Sequence, residues 1–275
     1  MNIHSIGSTT VGDTPRIVAV LCGDTAGCVK LAEAAKVEGA DIIEFRADFC
    51  TNLIADSKKV SALIKDIKEV SGLPILLTIR QFAEGGYFLG SGHFDGSEVE
   101  RLKIFTDLMP EVDAVDVEIN AEEIRDDVLN LAKSSDKLAI LSYHNFKHTP
   151  RYGKFQDLIE DAQLYGADML KIAVMAITKD DVKTLSRFTI EHNKDMLLTS
   201  ISMGEIGMSS RVINPFLGSC FTYGYVGEKA TTSGQLRISD LRKFIDSFTG
   251  QRINSFQEAE KIMCAVSEDG PPIFV

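Results

Sequence analysis

A lysine interrupts a run that is otherwise apolar and strand-like, Asp168-Met-Leu-Lys-Ile-Ala-Val-Met175. Side chains alternate across a strand, so Lys171, Ala173 and Met175 share one face and Leu170, Ile172 and Val174 the other. The second face suits packing against helices. The first would hold an amine in a largely buried place, where lost solvation disfavours the charged form and lowers its pKa. A neutral lysine amine is a nucleophile toward ketones and aldehydes. The competing reading is a lysine whose stem is buried and whose head snorkels to water. The segment alone leaves both open.

Other polar residues are similarly out of place. In Asp41-Ile-Ile-Glu-Phe-Arg-Ala-Asp48, Glu44, Arg46 and Asp48 fall on one face, opposite Ile43, Phe45 and Ala47. Further along stand Thr78-Ile-Arg80 followed by Glu84-Gly-Gly86, then Ser142-Tyr-His144. Ser202-Met-Gly-Glu leads to Arg211, and Gly227 leads to Thr231-Thr-Ser-Gly-Gln235. Each has a plain structural explanation taken singly: a hydrogen-bonded core histidine, a helix-surface arginine, a flexible loop. Their common position, just beyond the ends of apolar runs, is what groups them.

Those apolar runs alternate with helix-period segments along the chain. Strands are predicted at Arg16–Cys22, Asp41–Ala47, Pro74–Arg80, Ala114–Ile119, Lys137–His144, Asp168–Met175, Met196–Ser202 and Cys220–Val226. Helices are predicted at Asp24–Val37, Ser57–Val70, Ser97–Leu108, Ala121–Lys133, Lys154–Tyr165, Thr178–Ile190, Met208–Phe216 and Ser239–Thr249. In the second of these, Val60, Leu63, Ile64, Ile67 and Val70 form one stripe. In the sixth, Thr178 and Asp181 have capping-box spacing. Strand–helix alternation repeated eight times over about 250 residues points to an α/β chain built as a (β/α)8 TIM barrel. A doubly wound sheet would carry a Gly-rich fingerprint after its first strand, and Cys22-Gly-Asp-Thr-Ala-Gly-Cys28 is not one. One domain is expected over 1–275. Its barrel runs from about residue 16 to 250, behind a short N-terminal capping hairpin. Residues 251–275 form a C-terminal extension that could hold one more helix, Phe256–Val266.

In such a barrel the active site lies at the C-terminal ends of the strands, where the polar residues above gather. Charges on the inner face must pair with one another or with a ligand. Arg46, Arg80 and Arg211 are expected to converge near the Lys171 amine, depressing its pKa further and offering a clamp for a carboxylate. His144 could move protons beside a Schiff base, with Glu84 orienting it.

Composition narrows the partners. The 275 residues carry a formal net charge of −11, which disfavours nucleic acid and anionic membrane surfaces. No apolar run reaches the roughly 18 residues of a membrane span, and the first ten residues show no secretory signal. The five scattered cysteines lack zinc-site spacing and make disulfides an unfavoured expectation, so a cytoplasmic protein is expected.

The motifs together resemble type I 3-dehydroquinate dehydratase, the Schiff-base-forming class of that shikimate-pathway enzyme. The pieces are Ile43-Glu-Phe-Arg-Ala-Asp48, Thr78-Ile-Arg-Gln-Phe-Ala-Glu-Gly-Gly86, Ser142-Tyr-His-Asn-Phe-Lys-His-Thr-Pro150, Gly166-Ala-Asp-Met-Leu-Lys-Ile-Ala-Val-Met175, Ser202-Met-Gly-Glu-Ile-Gly-Met-Ser-Ser-Arg211 and Ser233-Gly-Gln235. The resemblance implies that Lys171 forms an imine with the substrate ketone, that His144 is the general acid/base, and that Glu84 is the carboxylate beside it. It implies that Glu44, Arg46 and Arg80 hold substrate hydroxyl and carboxylate groups and that Arg211 clamps the carboxylate. Thr231, Ser233 and Gln235 match a loop that closes over the substrate. It further implies 3-dehydroquinate as substrate, no metal or organic cofactor, and a homodimer. Asn145, Ala176 and Ser233 depart from the family pattern, which usually has Asp, Pro and Pro there. The alternatives are a class I aldolase or transaldolase-like carbon–carbon lyase, and a non-catalytic binder of a polyhydroxy acid.

Overall fold

The computed structural model describes residues 3–22, 25–50, 56–86, 97–228, 230 and 233–247. A two-stranded hairpin, β1 (His4–Ile6) and β2 (Thr9–Val11), precedes a row of parallel strands. These are β3 (Arg16–Leu21), β4 (Ile42–Arg46), β5 (Ile75–Thr78), β6 (Ala114–Glu118), β7 (Leu138–Asn145), β8 (Met169–Met175), β9 (Leu197–Met203) and β10 (Phe221–Tyr225). Each pairs with the next in sequence order, and β10 returns to pair with β3. The row closes where Leu198 bridges Ser219 and the Cys220 amide donates to the Leu198 carbonyl at 2.6 Å. A two-residue strand, β11 (Leu236–Arg237), extends the sheet beside β10. The barrel and its capping hairpin are as expected from the sequence. The C-terminal extension, the helix at Phe256–Val266 and Thr231 lie outside the described residues.

Helices follow the strands as α1 (Thr25–Glu38), α2 (Ser57–Ser71), α3 (Glu98–Leu108), α4 (Arg125–Ser134), α5 (Tyr152–Leu164), α6 (Lys179–His192), α7 (Gly204–Gly207), α8 (Ser210–Leu217) and α9 (Ile238–Ser247). Their starts and stops are written locally. The Thr178 hydroxyl accepts from the Asp181 amide while Asp181 accepts from the Thr178 amide, the reciprocal cap at the head of α6. Asp56 caps α2, which ends at Gly72 with φ 64°. Several bounds differ from expectation, two of them for a plain physical reason. Val70 is exposed and Ser71 takes the buried place, because a stripe starting at Val60 reaches residue 71, not 70, after three turns. The expected helix at Ala121 begins instead at Arg125, since Ala121 and Ile124 close a separate turn through bonds to the Glu118 and Ala121 carbonyls.

Two apolar layers result. Outward-facing strand residues such as Ile43, Phe45, Leu141, Leu170 and Ile172 pack against the helices. Inward-facing residues, including Val18, Ile42, Leu76, Ala114, Ile140 and Met169, fill the barrel together with Ile6 and Val11 of the hairpin. Along the inward faces of β4 to β8 the chemistry changes with height. Ile42 is followed by Glu44 and Arg46, Leu76 by Thr78 and Arg80, Ala114 by Asp116 and Glu118, Ile140 by Ser142 and His144, Met169 by Lys171. The lower half is a packed apolar plug, and the upper half, toward the C-terminal strand ends, is a buried polar chamber.

Candidate active site

Lys171 sits in that chamber, 4% exposed. Its Nζ donates to Asp116 Oδ2 at 2.9 Å and to Glu44 Oε1 at 3.2 Å, and lies 4.4 Å from the centre of the Tyr223 ring. The lysine is buried, not snorkelling. The expectation that it rests as a neutral amine is overturned. Burial does disfavour the ammonium, but Asp116 and then Glu44 outweigh it, and the pKa is raised above the usual lysine value.

The three arginines do not act as free cations around the amine either. Arg80 donates to Asp116 Oδ1 at 2.7 Å and lies 3.1 Å from Glu118 Oε1. Arg46 holds Asp48 through two parallel bonds of 2.8 and 2.7 Å. Arg211, on α8, is buried and donates to the Tyr223 carbonyl at 3.3 Å; burial lowers its pKa to about 10. Neighbouring carboxylates hold Arg46 and Arg80 above the ordinary arginine value despite burial. Buried charges have to be paired in this way because lost hydration is otherwise uncompensated.

Asp116 and Glu118 are residues of the candidate site that sequence reasoning missed. Asp116 also accepts from Ser142 Oγ at 2.6 Å, and Glu118 links Arg80 to Arg101 of α3. Burial would raise the Asp116 pKa, but Arg80, then Lys171 and His144, hold it well below the carboxylate range. The signal was present. Ala114-Val-Asp-Val-Glu118 alternates as Glu44-Phe-Arg46 does, on a strand covered by helices.

His144 lies two residues beyond Ser142 on β7, and Ser142 is the register partner of Lys171. Its Nδ1 is 3.0 Å from Glu84 Oε2, which also accepts from the His144 amide at 3.0 Å, while Asn120 donates to Glu84 Oε1 at 2.9 Å. Burial, reinforced by Arg80 and Lys171, pulls His144 well below its usual value, so the imidazole is neutral and able to accept a proton. Burial raises Glu84 to about 7, with Arg80 and Asn120 opposing. Glu84 sits on a tight turn, Phe82–Glu84, that returns against Arg80. A Cβ on Gly86 would fall 1.9 Å from the Arg80 carbonyl oxygen, so only glycine permits the return.

The loop before β11 brings Gln235 in as a buried residue and leaves Ser233 exposed. Gly234, at φ 74°, passes so close to the start of α7 that a Cβ would meet the Gly204 oxygen at 2.2 Å. Among the described residues, no group of three or more His, Cys, Asp or Glu could hold a metal ion, and no helix is long and apolar enough to cross a membrane. The chamber thus offers a lysine between two carboxylates, a neutral histidine on a carboxyl group, and arginines around them. Such a set suits carbonyl chemistry with proton transfer at the adjacent carbon.

The 3-dehydroquinate dehydratase of Methanosarcina barkeri is 33% identical over 250 residues, covering 89% of this chain and 98% of its own. That of Hydrogenobaculum sp. is 37% identical over 213 residues, or 78% of this chain and 91% of its own. Among solved structures, 3-dehydroquinate dehydratase from Geobacillus kaustophilus superposes with a TM-score of 0.83 at 28% identity, covering 91% of this chain and 100% of its own. The type I enzyme from Clostridium difficile, solved with covalently modified comenic acid, gives 0.82 at 28% identity over 90% and 97%. The family model described as Type I 3-dehydroquinase matches residues 17–251. That match runs from the second residue of β3 past the end of α9 and takes in every strand of the polar chamber, so the chain belongs to the type I 3-dehydroquinase family.

Proposed function

We propose that this chain dehydrates 3-dehydroquinate to 3-dehydroshikimate, the shikimate-pathway reaction, through an imine on Lys171. The observation that carries the reading is the buried Lys171 amine, held by Asp116 and Glu44 on the strand next to that of a neutral His144. The resting ammonium first releases a proton to water and the amine attacks the ketone; a proton returned to the carbinolamine hydroxyl lets it leave as water, and an iminium remains. That cation draws electrons from the neighbouring CH2 and acidifies it. Glu84 accepts from Nδ1–H of His144, which leaves Nε2 to take the proton and give an enamine. The enamine expels the hydroxyl, His144 returns the proton to it, and water hydrolyses the imine to free the lysine.

In this reading Glu44, Arg46, Arg80 and Arg211 position the substrate, and the loop carrying Thr231, Ser233 and Gln235 closes over it. Arg46 and Arg80 hold Asp48 and Asp116, and Arg211 is assigned here to the carboxylate of the substrate. Fixing the ring in this way selects which proton faces His144. The chain acts as a cytoplasmic homodimer on this reading, and light scattering in solution tests the dimer.

Borohydride reduction with 3-dehydroquinate, followed by peptide mass mapping, should place one reduced adduct on Lys171. Absence of an adduct ends the proposal. His144→Ala should still form the adduct while turnover collapses, and near-normal turnover would refute the acid/base role.

A further inference from the structure

One buried group beside the lysine has no task in the mechanism above. Tyr223 lies on the inward face of β10, opposite Val18 of β3, with 4% of its surface exposed. Its ring faces the Lys171 amine at 4.4 Å. Among the described residues its buried hydroxyl meets hydrogen-bond geometry with no partner, although the Lys171 ammonium lies close enough to influence it. A buried hydroxyl that leaves water without gaining a partner is costly. Phenylalanine would present the same ring to the lysine and strand nothing. The hydroxyl therefore has the character of a group whose partner arrives with the ligand.

We propose that Tyr223 is a further catalytic residue, whose hydroxyl donates a hydrogen bond to the substrate oxygen on the carbon that Lys171 attacks. The inference rests on the Lys171 imine. When Nζ bonds to the ketone carbon, the electron pair of the C=O bond moves to oxygen. That oxygen is one bond beyond the new N–C bond, within reach of a hydroxyl carried on a ring already facing Nζ. Asp116, held well below the carboxylate range, has no proton to donate, and Glu44 Oε1 already accepts from Lys171 and Thr78. Tyr223 transfers no proton in the net step. A ketone and an ammonium give an iminium and water, so the two protons that leave with the oxygen are the lysine's own. Burial, with Lys171 opposing, raises the phenol above its ordinary value and keeps it a donor at neutral pH. Once the iminium forms, its positive charge faces the same ring, a favourable cation–π arrangement.

The test is a time course of borohydride-quenched reaction with 3-dehydroquinate in the wild type and in Tyr223→Phe. Removing one donor to a developing oxyanion should slow adduct formation about 100-fold, with the same final adduct on Lys171. The melting temperature of the variant should equal or exceed that of the wild type, since the stranded hydroxyl is gone. A Tyr223→Phe protein that forms the adduct at the wild-type rate overturns this proposal alone. A wild type that forms no adduct overturns the imine reading and this proposal with it.

Discussion

Replacing Asp116 by asparagine isolates the feature that most changed the view of Lys171. Asparagine can keep the oxygen that accepts from Arg80 and Ser142. The other carboxylate oxygen, 2.9 Å from Nζ, becomes an amide nitrogen, so a donor faces a donor. At 2.9 Å and an effective dielectric of about 20, the lost attraction is about 6 kcal/mol. That corresponds to about four orders of magnitude in the ammonium's dissociation constant. Glu44 remains at 3.2 Å, so the lysine pKa falls substantially without the lysine losing every anionic neighbour. A titration of the Lys171 resonance in protein carrying isotope-labelled lysine, assigned with Lys171→Met, reads this directly. The wild-type resonance should titrate above the ordinary value of 10.5 and that of Asp116→Asn far below the wild type. Folding should weaken by about 3–5 kcal/mol, because a buried pair has been broken on one side. A wild-type Lys171 that titrates below its ordinary value, or a variant that titrates with the wild type, would refute the reasoning.

Two further perturbations follow from the histidine side of the chamber. Glu84 is held at about 7 against an ordinary 4.5, so between those values the folded protein keeps a proton that the unfolded chain has lost. Its contribution is therefore complete below about pH 4.5 and is lost as pH rises through about 7, amounting to about 3 kcal/mol. Glu84→Gln should gain that much relative to the wild type between acidic and alkaline urea melts, while a difference independent of pH would contradict the raised carboxyl. Gly86→Ala forces a Cβ to within 1.9 Å of the Arg80 carbonyl oxygen, displacing the Glu84 turn. It should cut kcat at least tenfold, and unchanged steady-state kinetics would show that the turn does not hold Glu84 in place.

The barrel was legible because buried parallel strands are short apolar runs, and each helix between them carries its own stripe and cap. Period-two alternation likewise marked Glu44, Arg46 and Lys171 as inward-facing. What it could not give is which charges touch. Asp116 and Lys171 are 55 residues apart, on strands with β7 between them. Their contact depends on strand register, on barrel curvature and on side-chain height within the chamber. None of these is written in either segment. The same limit turned Arg80 from a neighbour of the lysine into a partner of the lysine's own carboxylate. Tyr223 gave no signal at all, since an aromatic residue in a strand is ordinary.

A depressed lysine pKa and a stabilised iminium make opposite demands on the same nitrogen. Arginines gathered around Lys171 would favour the free amine but would also repel the iminium, which is a cation. The chamber resolves this in favour of the cation. Asp116 and Glu44 hold the resting ammonium, and the proposed iminium would carry the same charge at the same nitrogen. Their attraction therefore survives both endpoints of imine formation and weakens only in the neutral carbinolamine and enamine. The cost is a resting lysine that must release a proton before it can attack. The gain would be that the proposed covalent intermediate meets its balancing charge before it forms. Arg80 keeps Asp116 ionised for that purpose, and Glu118, tied to Arg101, shares in holding Arg80. In the proposed reaction, the buried chain of alternating charge would thus support an iminium at Lys171 electrostatically.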